Sequence, residues 1–185
     1  MFDISLYPLF FLGKNQNRKV DVPVPAWGTR PELDIPMPGR NQAHLMLIFK
    51  TAPDTSSDTP ALDLLETSLG GMGGPLFRDL RDKQGLGYTV TAFNRQTSEN
   101  GYMVFYIGTE PGKMAQAEEG FKRIINDLHQ NLLSEEDVNR GKNQLEGDYY
   151  RNMQSLGSRS GEAAALTMEG YPLSFTKDQI EKSKN

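Results

Sequence analysis

The fold is decided by Leu69-Gly70-Gly71-Met72-Gly73-Gly74-Pro75-Leu76-Phe77-Arg78-Asp79-Leu80-Arg81-Asp82-Lys83-Gln84-Gly85-Leu86-Gly87-Tyr88-Thr89-Val90. It reads as a glycine turn, a short charged helix, a second glycine turn and then a strand. Gly70, Gly71, Gly73 and Gly74 predict tight turns or close backbone approach, because they reach backbone angles closed to other residues. Pro75 suits the first helical turn, where its missing N–H costs little. Leu76, Phe77 and Leu80 form one apolar face. Arg78, Asp79, Arg81, Asp82 and Lys83 cover the rest. Gly85 and Gly87 stop the helix, and Tyr88-Thr89-Val90 opens an extended run.

Upstream, Gln42 to Lys50 is a near-continuous apolar run, which predicts a central strand covered on both faces. Asp58 is positioned to cap a helix with Pro60 in its first turn and Ala61, Leu64, Leu65 and Leu69 as its buried stripe. Downstream, Tyr88 to Phe93 is strand-like, and Asn94 to Gly101 is polar, with Asn100-Gly101 as a hairpin signal. Tyr102 to Gly108 is the return strand. It puts Tyr102, Val104 and Tyr106 on one face and Met103, Phe105 and Ile107 on the other. Glu110-Pro111-Gly112 breaks the pattern.

A helix follows to about Asn131, with Met114, Ala117, Phe121, Ile124, Ile125 and Leu128 along one side. Ser134, three before Asp137, is a weak relative of the capping box. It opens a helix to about Leu156, with Val138, Leu145, Tyr149, Met153 and Leu156 inward. Gly157 to Ser160 reads as a turn and cap, and Ser160 to Glu169 as a short alanine-rich helix ended by Tyr171-Pro172. Thr176 and Gln179 open a last helix anchored by Ile180. The pattern predicts an α+β fold, a small antiparallel sheet with its helices packed on one side.

Residues 1–39 read as an N-terminal extension and linker, and 40–185 as the domain. Met1 to Leu12 is apolar. It lacks a basic beginning and a small-residue cleavage signature, so it reads as a buried or partner-facing segment, with a truncated signal as the alternative. Lys14 to Lys19 reads as a loop, Val20 to Val24 as an edge strand limited by Pro23, and Pro25 to Gly39 as an extended linker.

The 185 residues carry 20 basic and 24 acidic side chains, a formal charge of -4. That balance describes a polar, soluble chain and argues against a general nucleic-acid binder, which needs a basic face. No run is long and apolar enough for a membrane span. Cysteine is absent, which excludes disulfides, thiolate metal sites and cysteine nucleophiles. The two histidines, His44 and His129, sit in an apolar strand and at a helix end, and structural roles suit both. His-Glu-x-x-His and its inverse are absent, as is a Gly-x-Ser-x-Gly elbow. The glycine turn lacks the Gly-Lys-Ser/Thr ending of a phosphate loop. Arg81 closes the helix and Tyr88 opens the strand, so the turn between them can bring two hydrogen-bond donors to one rim. Spacing alone leaves a blander alternative, an arginine paired with Asp79 or Asp82 and a core tyrosine.

The stretch from Leu80 to Val90, preceded by Gly70 to Leu76, resembles the C-terminal half of the pitrilysin and insulinase zinc metallopeptidases, peptidase family M16. The resemblance extends from Arg40 to Phe175. It implies a truncated LuxS/metalloenzyme-like half, with the last strand and helix and the opening βα part of a complete half missing. In that family, homologous halves close like a clamshell around peptides. The N-terminal half carries His-x-x-Glu-His and zinc, so the resemblance implies no cofactor in this chain and zinc in the partner half, in cis or in trans. It also implies that Arg81 and Tyr88 grip substrate backbone and help stabilise the scissile carbonyl. Gly71, Gly73 and Gly74 become candidate peptide contacts. The chain alone is expected to be inactive, with exposed sheet edges that could pair with a second copy. The alternative is a structural or assembly subunit related to processing peptidases, without proteolytic duty. The compartment is left open between cytoplasm and periplasm.

Overall fold

The computed structural model describes residues 32–184, so the readings for residues 1–31 lie outside the described residues. Three strands form one antiparallel sheet in the order β1 (Ala43–Thr51), β3 (Gly101–Thr109), β2 (Gly87–Gln96). Helix α1 (Thr59–Gly70) links β1 to the glycine turn. Pro75 and Leu76 then lead into a short π-helix, Phe77–Lys83. After β3 a 3₁₀ turn leads to α2 (Met114–Asn131), α3 (Glu135–Asn152), α4 (Leu156–Glu169) and α5 (Phe175–Ser183). The expected α+β fold, with helices on one side of a small sheet, is what forms.

The period-2 pattern of β3 places its two faces as read. Met103, Phe105 and Ile107 join Val90 and Ala92 of β2 and the buried stripe of α2, Ala117, Phe121 and Ile124, in one core. Leu69, Leu76, Leu80 and Leu86 complete it, so with Val90 the organising stretch contributes five of the core side chains. Phe105 meets Phe121 edge-on at 6.0 Å, a favourable arrangement of ring quadrupoles.

Several expectations are corrected. Among the described residues β1 is an edge strand, pairing only with β3. Its outer face leaves Met46 and Ile48 about half exposed, at 53% and 52%. An apolar run cannot distinguish one covered face from two, and β3 takes the centre instead. The outer face is not wholly wet, because Ile48 and Phe93 flank Val104 across the register and leave it 2% exposed. In α1, Ala61 is exposed and Leu62 packs on the core with Leu65. Asp58 occupies the cap position without a side-chain cap bond. Strand β2 runs on through Asn94 to Gln96, because Asn94 accepts a hydrogen bond from Thr51 and donates its N–H to Glu66. The hairpin closes at Thr97–Asn100.

The long helix expected to reach Leu156 ends at Asn152. Ser155 starts a new one by accepting the N–H of Ser158. Leu156 is therefore 78% exposed, and Gly157 to Ser160 lie inside α4. The buried residues of α3 are Asp137 and Gly141, which an apolar-stripe reading passes over. Ser134 caps α3 as read, accepting the Asp137 N–H at 3.1 Å. Ile180 is buried in α5, as expected.

Candidate functional site

The π-helix and β2 are joined by Gln84-Gly85-Leu86, and this joint sets the site. Leu86 is anchored three ways. Its side chain is in the core, its N–H donates to Leu80 O at 2.8 Å, and its carbonyl accepts from Thr109 Oγ1 at 2.5 Å. Strand pairing then begins irregularly. Gly87 faces Thr109 and Thr89 faces Gly108, so Tyr88 is an extra residue in a β-bulge. A Cβ on residue 87 would run into the Gly108 carbonyl, so glycine is what lets the strands approach there. Bulges re-aim side chains, and this one turns Tyr88 out to 79% exposure.

The structure brings Arg81 and Tyr88 together. The Arg81 guanidinium carbon lies 4.6 Å from the centre of the Tyr88 ring and 4.3 Å from that of Phe77, both within cation–π range. Phe77 and Arg81 are four apart on one helix, the spacing that stacks side chains on a shared face. Asp79, one of the carboxylates that could have held Arg81, pairs instead with Arg123. Among the described residues neither the Arg81 guanidinium nor the Tyr88 hydroxyl has a hydrogen-bond or ion-pair partner. Two adjacent donor groups therefore face solvent with their hydrogen-bonding capacity unspent.

The glycine turn lies at the other end of the same helix. Gly74 and Arg81 are seven residues apart, roughly 10 Å along a helix axis. Gly73 has φ +83°, the left-handed region that favours glycine, and the Gly74 N–H closes the turn on Gly71 O at 2.8 Å. Arg78 donates to Gly73 O and Arg140 to Ser68 O, tying the turn to α3. Gly74 is buried, Gly71 and Gly73 are half-buried, and Met72 at the tip is exposed. Gly71, Gly73 and Gly74 thus form a packed turn separate from the Arg81–Tyr88 pair.

Behind the turn stands an ion pair that sequence reading missed. Arg78 donates to both carboxylate oxygens of Asp137, at 2.8 and 2.9 Å. Asp137 also accepts from Ser134 Oγ at 2.7 Å. The Arg78 hydrogen bonds, chiefly, lower its pKa to about 2 against the ordinary 3.8. The sequence marks Asp137 only through the Ser134 cap, and no local signal names a partner 59 positions away. An open groove of about 660 Å³ runs past Arg78, Asp137 and Arg123. Neither Arg81 nor Tyr88 lines it, so this groove is distinct from the donor pair. His44 stacks on Tyr106, with Nδ1 2.8 Å from its hydroxyl. His129 is in the last turn of α2. Among the described residues no three His, Asp or Glu side chains are grouped to hold a metal, and no helix is long and apolar enough to cross a membrane.

The family model described as the peptidase M16 inactive domain matches residues 10–145. The chain belongs to that family. The match to the M16 inactive domain begins inside the stretch read as extension and linker, and it ends within α3. Among curated relatives, the uncharacterised zinc protease YmxG of Bacillus subtilis is 28% identical over 119 residues, covering 64% of this chain and 29% of that protein. An uncharacterised zinc protease of Rickettsia felis is 29% identical over 93 residues, covering 50% of this chain and 22% of its own. The chain thus spans less than a third of the curated relatives it matches. Among solved structures, a peptidase M16 inactive domain from Pseudomonas fluorescens superposes with TM-score 0.69 at 22% identity, over 78% of this chain and 35% of that one. A protease from Helicobacter pylori gives 0.71 at 21%, over 80% and 36%. This is a noncatalytic domain of the M16 zinc-peptidase family, with the fold of its solved members.

Proposed function

We propose that this M16 inactive domain is the substrate-gripping half of a zinc peptidase, closing a peptide chamber with an N-terminal half in cis or in trans. The observation that carries the reading is the Arg81–Tyr88 pair, two adjacent donors with no partner among the described residues, at the joint of the π-helix and β2. Both side chains donate in-plane or terminal hydrogen bonds suited to a peptide carbonyl. A guanidinium donor also stabilises oxygen charge as it develops, which accelerates reaction more than it tightens binding. The described residues hold no group of metal-ligating side chains, and His44 is engaged with Tyr106. Zinc in the partner half would supply activated water. This chain would supply grip, orientation and carbonyl stabilisation.

Peptide cleavage by this chain, with and without a matching zinc-bearing half, tests the reading. Activity is expected only in the mixture, and Arg81→Ala or Tyr88→Ala is expected to lower it tenfold or more, as for loss of one oxyanion donor. A bound, well-folded mixture indifferent to both substitutions would leave this domain a structural role only.

A further inference from the structure

We infer that Phe77 is a positioning residue that presents Arg81 to the substrate backbone. The inference rests on the reading of Arg81 as a backbone-gripping group. A long arginine side chain must be held to act as a fixed donor, and ion pairing is the usual means. Here Asp79 is committed to Arg123, and the Arg81 guanidinium has no polar partner among the described residues. What touches it is aromatic surface, Phe77 at 4.3 Å and Tyr88 at 4.6 Å. The two rings are not equivalent. Tyr88 is 79% exposed on a bulge. Phe77 is half-buried and opens the π-helix, with fully buried Leu76 just before it and fully buried Leu80 three residues on. Phe77 is therefore the fixed support, and Tyr88 is the movable one.

This support has a chemical consequence. A carboxylate would hold Arg81 through its N–H groups and use them up. A ring holds it through the face of the guanidinium and leaves the in-plane donors free. The arrangement fixes a cation while keeping its hydrogen bonds available for an oxygen acceptor arriving edge-on, as the carbonyl of an extended peptide does. Phe77 touches no substrate in this scheme and acts through Arg81.

The test uses the full chain and two readouts. In the chain itself, the Arg81 Nε–Hε proton resonance reports ring proximity. It is expected upfield in the native protein, shifted to the position of a solvated arginine in Phe77→Leu, and restored in Phe77→Trp. In the mixture with the zinc-bearing half, a quenched fluorogenic peptide library reports turnover. Phe77→Leu is expected to lower kcat about two- to fivefold with KM little changed, the factor for one exposed cation–π contact, and Phe77→Trp to restore it. Should Phe77→Leu fail to fold, Phe77→Met carries the same comparison. An unmoved resonance overturns the inference. So does a moved resonance with unchanged turnover where Arg81→Ala is impaired; that result leaves the substrate-gripping reading intact. If Arg81→Ala is itself without effect, both fall, and the resonance shift alone remains as packing.

Discussion

Replacing Asp137 by asparagine separates charge from shape at the ion pair behind the glycine turn. The side chain is 6% exposed and receives both Arg78 donors and the Ser134 hydroxyl. Its pKa is about 2 folded and 3.8 as the ordinary value. The folded value is the lower one, so the carboxylate adds stability above pH 4 and loses it as pH falls through 2. At about 1.4 kcal/mol per pH unit the contribution is about 2 kcal/mol. Arg78 is 45% exposed, and water around it screens the pair, which makes that figure a ceiling. Urea unfolding from pH 7 to pH 2.5 is the assay. The gap between native and Asp137→Asn proteins should approach 2 kcal/mol at pH 7 and shrink steadily below pH 4. A gap that stays constant across the range would refute the electrostatic argument and leave Asp137 a purely geometric role. Asp63 supplies the opposite control. Burial, then the nearby Glu66 charge, raises its pKa to about 6. Its contribution is therefore present below pH 4 and lost as pH rises through 6. Asp63→Asn should stabilise the domain at pH 7 by up to about 3 kcal/mol and leave it unchanged at pH 3.

A methyl group at residue 141 would meet the buried Ser68 hydroxyl where α3 crosses α1. Gly141→Ala gains helix propensity of about 1 kcal/mol but overpacks the crossing, so a net loss of about 1–2 kcal/mol is expected. Ser68→Gly in the same chain should recover most of it in a double-mutant cycle of urea midpoints. Gly87→Ala collides with the Gly108 carbonyl, so it should disturb the bulge and return the Arg81 Nε–Hε resonance toward that of a solvated arginine while the fold persists by circular dichroism. Ser134→Ala removes the α3 cap and should cost about 1 kcal/mol by thermal unfolding.

The fold was legible because its signals are local. Alternation in β3, the apolar stripe of α2 and the Ser134 cap each follow from residues within one turn or one strand, and each forms as read. The errors fall where a distant element decides. The order β1-β3-β2 turns an apolar run into an edge strand. Asn94 joins β2 because Thr51 and Glu66 satisfy it. Ser155 outcompetes continuation of α3, and that choice exposes Leu156. At the candidate site, the turn between Arg81 and Tyr88 allowed their meeting but did not decide it against an arginine paired with Asp79 or Asp82 and a core tyrosine. The Arg78–Asp137 pair was not legible, because its partners are joined only by folding. Phe77 did leave a signal, an aromatic residue four before an arginine on a short helix, but an apolar-face reading assigns it wholly to the core.

The seven-residue spacing of Arg81 and Tyr88 has a physical meaning that the helix alone does not give it. In a continuous helix, two residues seven apart share a face about two turns from each other, about 10 Å apart. Here they stack at 4.6 Å. Two irregularities close that distance. The π-turn widens the end of the helix and lets the Leu86 N–H reach back to Leu80 O. The bulge then inserts Tyr88 as an unpaired residue beside it. Each departs from regular pairing, and each is held by Leu86, buried and bonded on both sides of its peptide. Regular continuation of the helix would instead hold the two side chains about two turns apart. Local irregularity maintained by a buried anchor, with two unspent donors as its product, supports the proposed gripping role of Arg81 and Tyr88.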